Sequence, residues 1–222
     1  MLISELEISD GKLLNKIENT FDENQNLIES KIYFGNEIYE KISTEFNEVG
    51  YIKTTYQEGI EIERMERINN GKNFENKFYE ENELVEIHKY QYESSPKTGV
   101  TKIFDSQNNL LAIRNEYFDS NDYILKFEEF NANEQLMEES IYERENELIL
   151  KETQRDFYNG AIEYISTYEY DFKKNLIRKE IRAINKSLVS ANHNRYDEKN
   201  RLIEENRISN GENVNYQHIY SN

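Results

Sequence analysis

The chain has 222 residues, with 44 acidic against 27 basic side chains, a formal charge of −17, one proline (Pro96) and no cysteine. Disulfides and thiolate metal sites are therefore excluded, and an anionic surface of this strength repels nucleic acid and anionic membranes while attracting basic proteins. Hydrophobic residues make up 36%, below the globular norm of about 45–50%, but 17 tyrosines and 11 phenylalanines argue against disorder and predict an ordered protein with a large surface and a thin core.

In chain order, the opening MLISELEISDGK is acidic and lacks the basic and apolar regions of a secretory signal. No apolar run approaches the roughly 20 residues that span a bilayer. The expectation is a soluble, cytoplasmic protein without membrane contact. Asp10-Gly11 gives the first turn signal, followed by Gly35-Asn36, Glu58-Gly59, Asn70-Gly71, Asn159-Gly160 and Asn210-Gly211. Such pairs between alternating segments are strong hairpin signals. In IEIERMERI (60–68) β-formers alternate with Glu and Arg, so charged ladders can cross neighbouring strands. In AIEYISTYEYDF (161–172), Ile162, Tyr164, Tyr168, Tyr170 and Phe172 share one parity, and Glu163, Thr167, Glu169 and Asp171 the other. That is the period of a strand. The Glu/Lys-rich ENELVEIHKYQYE (81–93) and LIRKEIRAI (176–184) leave a helical alternative open, for a fifth of the chain at most.

Between these signals runs a second turn type. FDENQNLIE (21–29), FDSQNNLLA (104–112) and YDEKNRLIE (196–204) share an aromatic residue, Asp, polar turn-formers and a seventh-position Leu. Relaxed to an aromatic residue followed six positions later by Leu or Ile, the pattern starts at Phe21, Phe46, Phe78, Phe104, Phe118, Phe130, Tyr142, Tyr170 and Tyr196. Most intervals lie near 13 or twice 13. The physical reading is a strand ending at the aromatic residue. Asp or Asn at the second position bonds its own backbone, and the fifth position takes the left-handed conformation. Gln25, Gly50, Asn82, Asn108, Asp122, Glu134, Asn146, Lys174 and Asn200 stand at that fifth position. An apolar pair then opens the return strand.

The predicted fold is all-β: one domain over residues 1–222, an antiparallel meander of about 16–18 short strands in one elongated, twisted or curled sheet. A filled barrel is disfavoured, because so many strands enclose a lumen that the few apolar side chains cannot fill. Charges such as Glu5, Glu7 and His218 are expected to protect the terminal edges.

The aromatic-Asp-x-x-Gly-x-Leu signature resembles the YD repeats of Rhs proteins and teneurins. Tyr196 to Leu202 fits with Asn200 in place of Gly, and Phe46 to Ile52 keeps its Gly50. The chain also resembles MORN-variant antitoxin-type proteins, from which it departs in having only eight glycines. Long YD arrays build a shell around a toxin, and this chain is too short for one. Neither resemblance implies catalytic residues.

No residue pattern points to catalysis, a cofactor or a metal. His88, His193 and His218 have no ligand spacing. Asp22-x-Asn24-x-Asn26 starts like a calcium loop but has Leu27 where Gly is needed, so turn chemistry accounts for it better. No pattern selects a glycosidase pair among 44 carboxylates. The tyrosines could stack on sugars but are needed as core. The expected function is non-enzymatic protein binding, as an immunity or antitoxin-type protein that neutralises a bacterial toxin by placing an acidic sheet in a basic cleft. The alternatives are a structural or adhesive YD-type surface module and an acidic DNA mimic. The sequence assigns no partner-binding residues.

Overall fold

The computed structural model describes residues 2–9, 12–34, 37–158, 162–209 and 212–220, with no helix among them. Eighteen strands belong to a single sheet. They are β1 (Leu2–Ser9), β2 (Lys12–Phe21), β3 (Leu27–Phe34), β4 (Glu37–Asn47), β5 (Gly50–Gln57), β6 (Ile60–Asn70), β7 (Asn73–Glu80), β8 (Glu83–Ser94) and β9 (Lys97–Asp105). Then come β10 (Leu110–Phe118), β11 (Ile124–Asn131), β12 (Leu136–Glu145), β13 (Leu148–Asp156), β14 (Ile162–Tyr170), β15 (Leu176–Ala183), β16 (Leu188–Tyr196), β17 (Leu202–Ser209) and β18 (Glu212–Tyr220). From β1 to β7 and from β10 to β17 every strand pairs antiparallel with its successor. Both segments with a helical alternative are strand, as β8 and β15.

One expectation is corrected. β1 pairs with β2 on one side and with β18 on the other, Glu7 opposite His218. The terminal strands cover each other's edges with backbone hydrogen bonds, so they do not rely on charge for protection.

The strands pack as two units. The first comprises residues 1–89, 103–109 and 216–222 and contains β1–β7; the second comprises 90–102 and 110–215 and contains β10–β17. The core is as thin as the composition predicts. The exposed surface is 14397 Å², where a compact monomer of this mass exposes about 10,700 Å². Among the described residues only Ile103 and Ala191 are buried apolar side chains, while Thr54, Glu129, Glu139, Ser140, Ser166, Glu205 and His218 are buried and polar. Cross-strand polar contacts must therefore do much of what an apolar core does elsewhere.

The turns explain the repeat. After Phe21, Phe104, Phe118, Phe130, Tyr170 and Tyr196 the chain makes one recurring loop. The second-position N–H donates to the sixth residue's carbonyl, and the fifth-position N–H donates back to the second residue's carbonyl. Oδ1 of Asp22, Asp105, Asp119, Asn131, Asp171 or Asp197 accepts the N–H groups two and four residues on, at 2.8–3.1 Å. The fifth residues Gln25, Asn108, Asp122, Glu134, Lys174 and Asn200 all have φ between 61° and 68°. The aromatic residue then faces the seventh, as Phe21 faces Leu27 and Tyr196 faces Leu202, and the eighth is a bulge. That bulge accounts for the apolar pair.

Three copies differ. Phe46 faces Tyr51 across a turn at 48–49, and Gly50 opens β5. Its φ is not positive; a Cβ there would lie 1.8 Å from the Arg67 carbonyl oxygen. Gly50 thus serves close strand approach, not the left-handed corner predicted for it. Phe78 lies within β7, and the turn follows at Glu81-Asn82 with both φ positive, the type I′ pattern. Tyr142 lies within β12 opposite Glu152. A further copy starts at Arg182, with Lys186 left-handed at φ 68°; it escapes the pattern because Arg182 is not aromatic. Of the two-residue signals, Glu58-Gly59 is type I′, and at Asn70-Gly71 the glycine takes positive φ. Asp10-Gly11, Gly35-Asn36, Asn159-Gly160 and Asn210-Gly211 lie outside the described residues.

Candidate interaction surface

Residues two apart on a strand share a face, and this chain repeatedly places opposite charges at that spacing. Lys16–Glu18, Lys31–Glu29, Lys126–Glu128 and Arg207–Glu205 form ion pairs at 2.5–2.7 Å, and Arg178 pairs with Glu180. In the second unit the pairs join into a continuous row. The Tyr117 hydroxyl donates to Glu128; Lys126 bridges Glu128 and Glu139; Arg155 bridges Glu139 and Glu163. The row spans β10 to β14. The two cations hold the Glu139 carboxyl below the usual range, Lys126 contributing most. The Lys126 ammonium is pushed up, chiefly by its bonds to Glu128 and Glu139.

The opposite face of the same strands pairs carboxylates differently. Glu129 accepts from Arg114 at 2.5 Å and from the Tyr158 hydroxyl at 2.8 Å. Glu138 accepts from Gln154 and Glu152 from Tyr168; in β16–β17 Glu205, besides its ion pair with Arg207, accepts from Asn192. Burial pushes the Tyr168 hydroxyl up, with Glu152 adding to the shift. At Tyr90 burial comes first and Glu116 next, and together they push the hydroxyl up to about 12. Burial raises the Glu116 carboxyl as well.

The histidines are dispersed. His88 lies on β8 with Nε2 2.8 Å from Glu86, His193 is exposed on β16 and His218 is buried on β18. In the calcium-like stretch Asp22 Oδ1 accepts the N–H groups of Asn24 and Asn26, so the turn itself uses that oxygen.

Charge is unevenly spread, which the total of −17 conceals. Residues 1–172 hold 17 basic and 38 acidic side chains, a net of −21; residues 173–207 hold ten against five, a net of +5. The latter stretch is β15, β16 and β17 with their turns, adjacent in the ladder. A charge sum over a moving window would have found this in the sequence.

The first unit contains a groove in which open carboxylates meet exposed apolar side chains. Ile32 of β3, Glu40 of β4, Gln57 of β5 and Ile60 of β6 lie in one cross-strand row. A register shift makes Tyr39 the extra residue of β4. Its carbonyl accepts the Glu58 N–H at 3.1 Å, and Gln57 Nε2 donates to its hydroxyl at 2.5 Å. The bulge opens a cavity of about 890 Å³ with Ile32, Phe34, Ile38 and Tyr39 as its apolar lining and Glu37, Glu40 and Glu58 at its acidic rim. Phe34 is 73% exposed, and Ile60, at the far end of the row, is 68% exposed. None of the three rim glutamates has an ion-pair partner among the described residues. Sequence reasoning missed this site because its residues meet only through a four-strand register with two bulges.

No family model matches the chain, and no curated protein does. Among solved structures it is similar to a porin-like protein from Bacteroides uniformis, with TM-score 0.50 and 10% identity over 99% of this chain and 97% of that one. A porin-like protein from Bacteroides vulgatus gives TM-score 0.40 and 10% identity over 98% and 97%. TcdB2-TccC3 gives TM-score 0.37 and 10% identity over 92% of this chain but 15% of that one. At these identities only the first comparison bears on this chain, and it shows fold alone. The side-chain pattern differs from that of a lipid-facing barrel, whose strands keep one face apolar. β12 carries Glu139 and Glu143 on one face and Glu138 and Arg144 on the other; β13 carries Lys151 and Arg155 opposite Glu152 and Asp156.

Proposed function

We propose that the chain is a non-enzymatic protein-binding module that occupies a basic partner, as an immunity or antitoxin-type protein occupies a bacterial toxin. The observation behind this reading is the surplus of acid in residues 1–172, net −21, which leaves the three rim glutamates unpaired beside exposed apolar side chains. What marks the groove is the combination: its open carboxylates stand beside the exposed apolar Phe34 and Ile38, where charge and apolar surface are together available to another molecule. The recurring aromatic-Asp turns, akin to those of YD repeats in toxin systems, point the same way. A cytoplasmic place away from lipid agrees with charge on both faces of β12 and β13.

Mechanistically, the anionic field steers a basic partner and raises the encounter rate, while apolar burial at contact sets how slowly it leaves. The test is kinetic. With a basic protein captured at low salt, the association rate falls steeply as ionic strength rises while dissociation changes little. A salt-independent association rate would falsify the electrostatic reading.

A further inference from the structure

We infer that the β3–β6 groove is the docking point for a partner segment in which a lysine or arginine stands next to a large apolar side chain. The inference rests on the reading that the chain binds a basic protein, and it names the place and the chemistry. Two observations made independently of each other specify the occupant. The lining of Ile32, Phe34, Ile38 and Tyr39 suits an aliphatic or aromatic group, because covering these side chains removes apolar surface from water. The rim of Glu37, Glu40 and Glu58 suits a cation, and Lys31 and Lys41, on the opposite face of β3 and β4, are engaged with Glu29.

A purely basic segment leaves Phe34 and Ile38 in water; a purely apolar one leaves three carboxylates desolvated without partners, a costly arrangement. A long basic side chain also covers apolar surface with its stem while its head reaches the rim. A second copy of this chain is disfavoured, because it brings −17 against −17 and because Lys174, Arg178, Arg182, Arg195, Arg201 and Arg207 of its basic stretch are engaged with its own carboxylates. The basic stretch 173–207 contributes no residue to the groove.

The probe is a short fluorescent peptide in which arginine alternates with leucine, with arginine–serine and glutamate–leucine peptides beside it. The full-length protein should bind the arginine–leucine peptide best and the glutamate–leucine peptide not at all. The triple variant Glu37→Gln, Glu40→Gln, Glu58→Gln should bind it about tenfold more weakly. Phe34→Ser should weaken the arginine–leucine peptide and leave arginine–serine unchanged; Phe34 is so exposed that the variant keeps its fold. The control triple Glu83→Gln, Glu93→Gln, Glu145→Gln removes the same charge from exposed positions elsewhere and should change affinity by no more than about twofold. Equal losses from the two triples, or no preference for leucine over serine, overturn the groove and leave charge-driven binding standing. No salt-sensitive binding of either arginine peptide overturns the underlying reading as well.

Discussion

The β3–β6 region and the β14–β17 region use one kind of strand and opposite ways of finishing it. In β14–β17 the connections after Tyr170, Arg182 and Tyr196 are all the five-residue loop, and the charges are mutually engaged: Arg178 and Arg182 on Glu180, Arg195 on Glu204. In β3–β6 that loop is absent from the described connections; a glycine holds two strands close, and glutamates and apolar side chains stand open together. A sheet with so few buried apolar side chains depends on its polar groups finding partners. A place where open carboxylates and exposed apolar side chains coincide is therefore informative, and total charge gives no hint of where it lies.

The sharpest break in this comparison falls at Gly50. Gly50→Ala puts a methyl against the Arg67 carbonyl, whose backbone cannot move without parting β5 from β6. The expected loss is about 3 kcal/mol or more, read from urea unfolding. Residues 162–209 contain no glycine, so β14–β17 offers no counterpart. Next comes the ion-pair row. Glu139→Ala removes the shared partner of Lys126 and Arg155, for about 1 kcal/mol, because both cations keep a second carboxylate. The Glu139 carboxyl is depressed in the folded state. Its contribution is therefore present above the unfolded pKa and fades as pH falls through the lower folded value; the wild-type and Glu139→Ala melting temperatures should converge in acid.

The loops should respond more gently. Asp197→Ala removes the acceptor for the Lys199 and Arg201 N–H groups and should lower the melting temperature by a few degrees. Asp197→Asn should recover most of that loss, because Asn131 fills the same role in its own loop. The smallest effect has the opposite sign. Burial raises the Glu116 carboxyl, so its ionisation costs stability as pH rises through the carboxylate range. Glu116→Gln should leave stability at neutral pH unchanged or slightly higher, with the difference vanishing in acid. A clear loss at neutral pH would contradict this account.

Local chemistry was legible in the sequence and long-range register was not. Asp22 and Asp197 announce their loops because an Asp before polar residues bonds its own backbone within four positions, and the left-handed fifth position follows whether Gln25, Lys174 or Asn200 fills it. The strand count follows from those loops taken together with the two-residue turn signals. Gly50 misled because glycine suits both a left-handed corner and a close approach, and only the partner strand distinguishes them. Arg182 hid a copy because strand ends here tolerate a non-aromatic residue. The groove was invisible because Phe34, Glu40 and Glu58 become neighbours only once the β3–β4 bulge sets Tyr39 aside.

The most direct test is a backbone amide NMR titration of the full-length chain with the arginine–leucine peptide. The account predicts shift changes concentrated between Ile32 and Ile60 and an undisturbed stretch from 173 to 207. Changes spread evenly over the acidic surface, or gathered in β15–β17, would contradict it.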